Sequence, residues 1–381
     1  MSLTVLVNAG PWLPVPPPGY GGIETVVAML VPELRALGLR VVLASVGGST
    51  LEADGHVTTL PHGHLPRVAA PYNQVAGVAH AHMGAVVAAL RDDSSVDLVH
   101  DHLEVVGPAV LAAMGTDAPP TLQTLHWDLR KHPEFYETFD GRGRVFFAGV
   151  SRSQVDRAPA NLRDQVLDAV PLAVAPAEPL GVPRGDYALV LARITVDKAQ
   201  DVAAVVCRRV GHPLVLAGPV AGINDPGELS ARLADPADPV QSHPDAAYWR
   251  DRVAPLVDGD LVRWVGGVAG ADKERWLQGA RALLTPVRWD EPGATAVVEA
   301  LDRGVPVVGT RRGVLPDLVR EGVNGFLADG EAGLAEALSR VDEIDADACR
   351  ASVAGWTPAA MAGRYVELYA DVIERAKAAR P

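Results

Sequence analysis

This sequence predicts two doubly wound α/β domains, on three observations. Short apolar runs alternate with helical patterns along the chain. The alternation stops once, in the Pro- and Gly-rich stretch "PLAVAPAEPLGVPRGD" at 171–186, and then restarts. The 381 residues also exceed what one ordinary core supports, so two domains are the default. Buried runs alternating with helices mean parallel sheets covered on both faces.

In order, "LTVLVN" (3–8) is the first strand, followed by an amphipathic helix from Glu24 to Leu37. "RVVLASV" (40–46), "VDLVHDH" (96–102), "PTLQTLH" (120–126) and "RVFFAGV" (144–150) are further strands, with Ala/Val/Leu helices between them. The linker lies at 171–186, where periodicity is lost. "YALVLAR" (187–193), a helix over 198–210, and the strands "PLVLAGP" (213–219), "LVRWVGG" (261–267), "ARALLTP" (280–286) and "VPVVGT" (305–310) build the second domain. Its helix after the 280s begins near Thr295. Residues 222–246, rich in Asp and Pro, read as a surface excursion, and 357–379 as one long amphipathic helix. The domains are expected at 1–175 and 185–355. In such sheets the ligand sits beyond the carboxyl ends of the strands, so the cleft between two facing domains is the expected site.

With 48% apolar residues each domain can bury a sizeable core. A net charge of −13 argues against nonspecific nucleic-acid binding and against adhesion to an anionic membrane surface. It leaves room for a small anionic substrate held by a few local cations. Cys207 and Cys349 are far apart and in no metal spacing, which fits a reducing compartment. The N-terminal "MSLTVLVNAGPW" has no basic region and no long apolar run, so it reads as a strand and not a signal peptide; a cytoplasmic location is expected. No stretch reaches the length of a membrane span and no basic amphipathic helix stands out.

In "WDEPGATAVVEALDRGVPVVGT", Glu291 precedes a turn of small residues, Thr295 is a candidate N-cap, and Glu299 lies about a turn inside the helix. A helix N-terminus with small residues presents N–H groups and a positive dipole to a phosphate. Taken singly, Glu299 is a helix-capping acid and Glu291 a solvated loop charge. In "LVLARITVDKAQDVA", Arg193 ends a strand and Lys198 opens the next helix, a pair able to pin a diphosphate or to serve as surface cations. "PPPGYGGIETVV" (16–27) places Gly21 and Gly22 where a strand hands over to a helix, with Glu24 in that helix's first turn. It lacks both the third glycine of a dinucleotide loop and the Lys-Ser/Thr of a P-loop. His62/His64, His80/His82 and His100/His102 are His-x-His pairs. Only the last sits on a convincing strand, where both side chains share a face. No cysteine joins them, so hydrogen-bonding histidines are the better reading than zinc.

These residues together resemble glycosyltransferase family 4, whose members are retaining, nucleotide-sugar-dependent enzymes of the GT-B fold. The two glutamates ending in "EALDRGVPVVGTRRGVLPDLVREGVNGFLAD" resemble its donor-site signature. The Arg193 and Lys198 pair resembles its phosphate-binding pair, and "PPPGYGGIETVV" its glycine-rich N-terminal loop. "DLVHDH" and "TLH" resemble its histidine-bearing strand ends, and "WTPAAMAGRYVELY" its closing helix, which crosses back to the first domain. The fold implied is GT-B, two Rossmann-like domains, with the acceptor on the N-terminal side and helix 357–381 packing back on it.

The resemblance implies that Glu291 binds hydroxyls of the transferred sugar, Glu299 the ribose, and Arg193 and Lys198 the diphosphate. Backbone N–H groups near Thr295 and Ala296 would add to that, Gly21 and Gly22 would approach the donor, and His126 would sit beside the reacting carbon. His102, Trp127 and Asp128 are candidates for the acceptor side, and segment 62–82 for selecting the acceptor. The nucleotide sugar would be a co-substrate; no tightly bound cofactor and no metal is implied. The acceptor class is a small molecule or glycan. The sequence departs from the family at Gly293-Ala294, usually Phe-Gly, and at Ala192, usually Gly. Other classes stay in view. A phosphorylase would need a cofactor lysine and a longer chain, and a dehydrogenase would need G-x-G-x-x-G. An epimerase or a non-catalytic nucleotide-sugar binder would share the scaffold.

Overall fold

The computed structural model describes residues 3–19, 21–68 and 71–379, and the backbone but not the side chain of Tyr72. Residues 1–2 and 380–381 of the expected first domain, and 69–70 of segment 62–82, lie outside the described residues. The chain forms two compact units. One comprises 1–175 with 356–381, and the other 176–355.

Among the described residues the first unit is built on seven parallel strands in the order β3-β2-β1-β4-β5-β6-β7. They are β1 Thr4–Asn8, β2 Arg40–Ser45, β3 Gly55–Thr58, β4 Leu98–Asp101, β5 Thr121–Leu125, β6 Val145–Gly149 and β7 Val166–Ala169. The period of two along each strand sorts its residues to opposite faces. Val5 and Val7, Val41 and Leu43, and Phe146 and Ala148 enter one core, with Val27, Leu30 and Leu34 of helix Gly22–Ala36. Leu6, Val42 and Phe147 enter the other, with Met83 and Val86 of helix Tyr72–Asp92.

The first of these cores also takes Met361, Tyr365, Leu368, Tyr369 and Val372 from helix Pro358–Ala378. Thr357 caps that helix by accepting from Ala360 N–H at 3.2 Å, and Pro358 occupies its first turn, as the physics of helix starts favours. Each of these large side chains adds roughly 1.5–3 kcal/mol by leaving water.

The second unit has six parallel strands in the order β10-β9-β8-β11-β12-β13. They are β8 Ala188–Leu191, β9 Leu214–Ala217, β10 Val262–Trp264, β11 Ala282–Thr285, β12 Val307–Gly309 and β13 Gly325–Leu327. Strand order reverses between β1 and β4 in the first sheet and between β8 and β11 in the second. In open α/β sheets ligands bind at the carboxyl side of such a reversal.

Three strands escaped the sequence reading: β3, β7 and β13. Each lies at an end of its sheet and is only three or four residues long, so it carries no long buried run. Residues 222–246 are a packed excursion and not a purely surface one. They hold helix Pro226–Ala234 and the start of helix Pro244–Tyr248, and Leu229, Val240 and Ala246 are buried. Asp225, capping the first of these helices through Glu228 N–H at 2.7 Å, explains part of the Asp content. Among the described residues no helix is long and apolar enough to cross a membrane.

Candidate functional site

In the second unit the turn after β8 carries Arg193 and Lys198. The fully buried Gln200 folds this turn from both ends. Its Nε2 donates to the Arg193 carbonyl at 2.8 Å, and its Oε1 accepts from Thr195 N–H at 3.3 Å. Lys198 ends the 3-10 turn Val196–Lys198 and does not open the helix as the sequence suggested. Ala199 follows in the left-handed conformation, φ 56°, and the helix begins only at Gln200.

The loop after β11 comes to meet this turn. Arg288 N–H donates to the Asp197 carbonyl at 2.8 Å, and the Arg288 guanidinium bonds Asp201 at 2.8 Å. Asp201 also accepts from Tyr248 at 2.7 Å and from Arg252 at 3.2 Å. The result brings Lys198 Nζ onto Glu291 Oε2 as an ion pair. Trp289 Nε1 donates to the same oxygen at 2.9 Å, and the lysine stands 5.1 Å from the Trp289 ring. Glu291 is held from behind. Its carbonyl accepts from Val314 N–H at 2.9 Å, and Gly313 lies so close that a Cβ there would overlap the Glu291 backbone.

Helix Thr295–Asp302 begins beside this loop. Its N-cap is Ala294, in the left-handed conformation at φ 49°, so Thr295 is the first helical residue and not the cap. Side-chain capping needs extended backbone at the cap residue, and the Pro292-Gly293-Ala294 turn supplies a left-handed one. Val297 N–H and Val298 N–H bond the Ala294 carbonyl, which leaves the amides of Thr295 and Ala296 ahead of the helix's own ladder. Glu299 accepts from Lys273 Nζ at 2.8 Å. Lys273, on helix Gly270–Gln278, was not singled out from the sequence, because a lysine on a polar helix reads as a surface cation.

In the first unit His102 and His126 stand just past the ends of β4 and β5. His126, just past β5, is half-buried, and its Nε2 lies 2.8 Å from His102 Nδ1. His102, expected on the acceptor side, is only 1% exposed and sits beneath His126 in the strand-end layer. His100 spends both ring nitrogens on protein. It bonds Tyr369 at 2.7 Å and Thr124 at 2.8 Å, and its ring centroid lies 4.2 Å from that of His102.

Glu104, also missed, is buried. Its carboxylate accepts from the N–H groups of His126 and Trp127 and, at 2.9 Å, from Tyr136. Burial lifts the carboxyl to about 7. Its signal in the sequence was an acid three residues past the end of β4. Trp127 packs against His132, ring centroids 6.0 Å apart. Asp128 accepts from Arg130 N–H at 3.0 Å and pairs with its guanidinium, so its carboxylate serves its own turn.

Gly21 caps helix Gly22–Ala36 and has a packing reason to be glycine, since a Cβ would lie 2.7 Å from Pro17 Cβ. A Cβ on Gly22 would meet nothing within 4 Å among the described residues. Glu24 is the first-turn acid of this helix, and it is buried. It is 4% exposed, and burial lifts its carboxyl to about 7 although it accepts from its own and Leu13 backbone N–H groups.

Two family models match. Residues 20–163 match "Glycosyltransferase Family 4" and residues 241–343 match "Glycosyl transferases group 1". A D-inositol 3-phosphate glycosyltransferase from Streptomyces griseus subsp. griseus is 33% identical over 131 residues, a match spanning 31% of this chain and 28% of that protein. AviGT4, a glycosyltransferase involved in avilamycin A biosynthesis, is 26% identical with a TM-score of 0.65, over 98% of both chains. The fold is shared with the sucrose-phosphate synthase of Thermosynechococcus elongatus, TM-score 0.72 at 16% identity over 98% of this chain and 99% of that one. It is shared too with Anabaena HepE, solved with UDP and glucose, TM-score 0.68 at 15% identity over 97% and 100%. With both halves matched by glycosyltransferase models and both sheets found in GT-B structures, the chain belongs to the GT-B glycosyltransferases of the family 4 type.

Proposed function

We propose that this protein moves a sugar from a nucleoside-diphosphate sugar to a small-molecule or glycan acceptor, with retention at the anomeric carbon. The observation that carries the reading is the cluster at the β8/β11 reversal. Lys198, Glu291 and Trp289 are joined there, beside a helix start and the Lys273–Glu299 pair. The names of the relatives support the reaction class.

Departure of a diphosphate is mainly electrostatic work. Arg193, Lys198 and the amides of Thr295 and Ala296 supply positive potential to the leaving group. Glu291 holds hydroxyls of the sugar as its ring gains positive charge, and Glu299 holds the ribose. The Lys198–Glu291 pair keeps each charge oriented before the donor arrives, so little reorganisation is needed at the reacting bond. A leaving-phosphate oxygen takes the acceptor's proton on the face from which the phosphate departs. His126 orients the sugar or the acceptor, with Trp127 next to it. Gly22, exposed at the start of its helix, leaves the backbone uncovered for the donor, and Gly21 packs the turn that presents it. Because Arg193 and Lys198 provide the positive charge, no metal ion is required, and EDTA is expected to leave turnover unchanged.

The test is incubation with UDP, GDP, ADP and dTDP sugars, scored for free nucleoside diphosphate. Glu291→Ala and Lys198→Ala are each expected to abolish release while the circular dichroism stays native. Wild-type turnover in both variants would sink the site. Binding without release, whatever the acceptor, would make the protein a nucleotide-sugar binder.

A further inference from the structure

His126 is held from two sides. Glu104 accepts from its backbone N–H and from that of Trp127. Val105, next after Glu104, adopts φ 65° and ψ −63°, and Val106 N–H bonds the Glu104 carbonyl at 2.8 Å. A β-branched residue takes up such a tight left-handed turn only where its surroundings impose it, and such outliers gather at working sites. This turn sets the Glu104 carboxylate against the end of β5.

His102 holds the ring. The 2.8 Å contact between His102 Nδ1 and His126 Nε2 needs one proton, which either ring can supply. Burial holds both rings well below the ordinary histidine value, His126 at about 3, so each is neutral and carries one proton. If His126 donates from Nε2, the proton of His102 must sit on its own Nε2. That atom is buried and has no partner among the described residues. An orphaned buried N–H is rarer than an unused lone pair, and leaving one carries the full desolvation penalty. If His102 donates from Nδ1, its Nε2 is only a lone pair, and the proton of His126 moves to Nδ1, which bonds no protein atom among the described residues.

We propose that His102 and Glu104 are positioning residues that hold His126 as its Nδ1–H tautomer, so that the ring offers a hydrogen-bond donor to a hydroxyl or phosphate oxygen of the bound ligand. The ligand's identity rests on the transferase reading; the tautomer does not.

The experiment is ¹⁵N–¹H correlation of the ring nitrogens in the full chain labelled at histidine. Signals are assigned by their loss in His126→Gln and His102→Gln. Both rings are expected to be protonated at Nδ1 and bare at Nε2, and a proton on His126 Nε2 overturns the proposal. His102→Phe keeps ring volume but removes the donor. It should turn His126 into a mixture of tautomers and lower turnover roughly tenfold to a hundredfold with nucleotide affinity unchanged. An unchanged His126 spectrum and turnover would remove His102 from the role. Glu104→Gln keeps an acceptor oxygen and should retain more turnover than Glu104→Leu; equal loss would remove Glu104. Should no donor be turned over at all, the transferase reading fails, and the ring spectra still decide the tautomer.

Discussion

Gly313 and Glu291 are in backbone contact. A Cβ on Gly313 would overlap the amide and carbonyl of Glu291, and Gly313 holds φ 57°, where side chains are disfavoured. Gly313→Ala must therefore push back the loop that bears Glu291. Turnover is expected to fall by about a hundredfold, the scale of an ångström-sized misplacement of a working group. Steady-state release of nucleoside diphosphate checks it, and near-parental kcat would show that the loop absorbs the methyl group.

Lys273 shares the Glu299 carboxylate at 2.8 Å. If Glu299 holds the ribose, Lys273→Met loosens its geometry and weakens nucleotide binding by roughly tenfold, about 1.4 kcal/mol. Calorimetric titration of the nucleoside diphosphate that the donor screen identifies reads this directly, and an unchanged Kd argues against the ribose role.

Ala294 occupies the left-handed region at φ 49°, where an alanine is strained and a glycine is not. Ala294→Gly is expected to raise stability by about 1 kcal/mol through release of that strain. Urea unfolding measures it, and a loss of stability would mean that the added freedom of the unfolded chain outweighs the strain.

Buried acids and buried histidines pull the pH dependence of stability in opposite directions. Burial raises the carboxyls of Glu24, Asp101 and Glu104 to about 7. Their contribution is full below the ordinary carboxyl range and is lost as pH rises towards 7. Burial lowers His82 to about 4 and His100 to about 3, so theirs is full above the ordinary histidine value and is lost as pH falls. Glu24→Gln removes one acid from this balance. The variant should gain stability over the parent as pH rises from about 4.5 to about 7.5, by on the order of 1–3 kcal/mol at the upper end. A gap that does not change with pH would show that Glu24 titrates normally.

The central strands were legible because both faces of each are buried, so β1, β2, β8 and β11 appear as unbroken apolar runs. Edge strands such as β3, half-exposed along its length, carry no such run. At the candidate site, Arg193, Lys198, Glu291 and Glu299 could be picked out because each lies near the end of a strand or in the first turns of the following helix. Lys273 and Gln200 act through partners far along the chain or through backbone geometry, which no local pattern encodes. Glu104 looked like an ordinary loop acid, and only the folding of β5 beside β4 reveals what it holds. Thr295 illustrates the limit of cap chemistry: its residue type suits an N-cap, but the backbone conformation set by its neighbours moves the cap to Ala294.

The path of the chain has a consequence for biosynthesis. Val174 N–H bonds the Trp356 carbonyl at 3.0 Å, so the segment leaving the first unit and the segment returning to it are stitched together. Between them lies the whole second unit, residues 176–355, whose strands and helices form one uninterrupted stretch. A ribosome adding about 5–20 residues per second takes about 10–40 s to make that stretch. During that interval Val27, Leu30 and Leu34 lack the helix that covers them, while the later half can already complete its own core. The half begun first is finished last, and the nascent chain carries an open apolar face until Tyr365 and Tyr369 emerge.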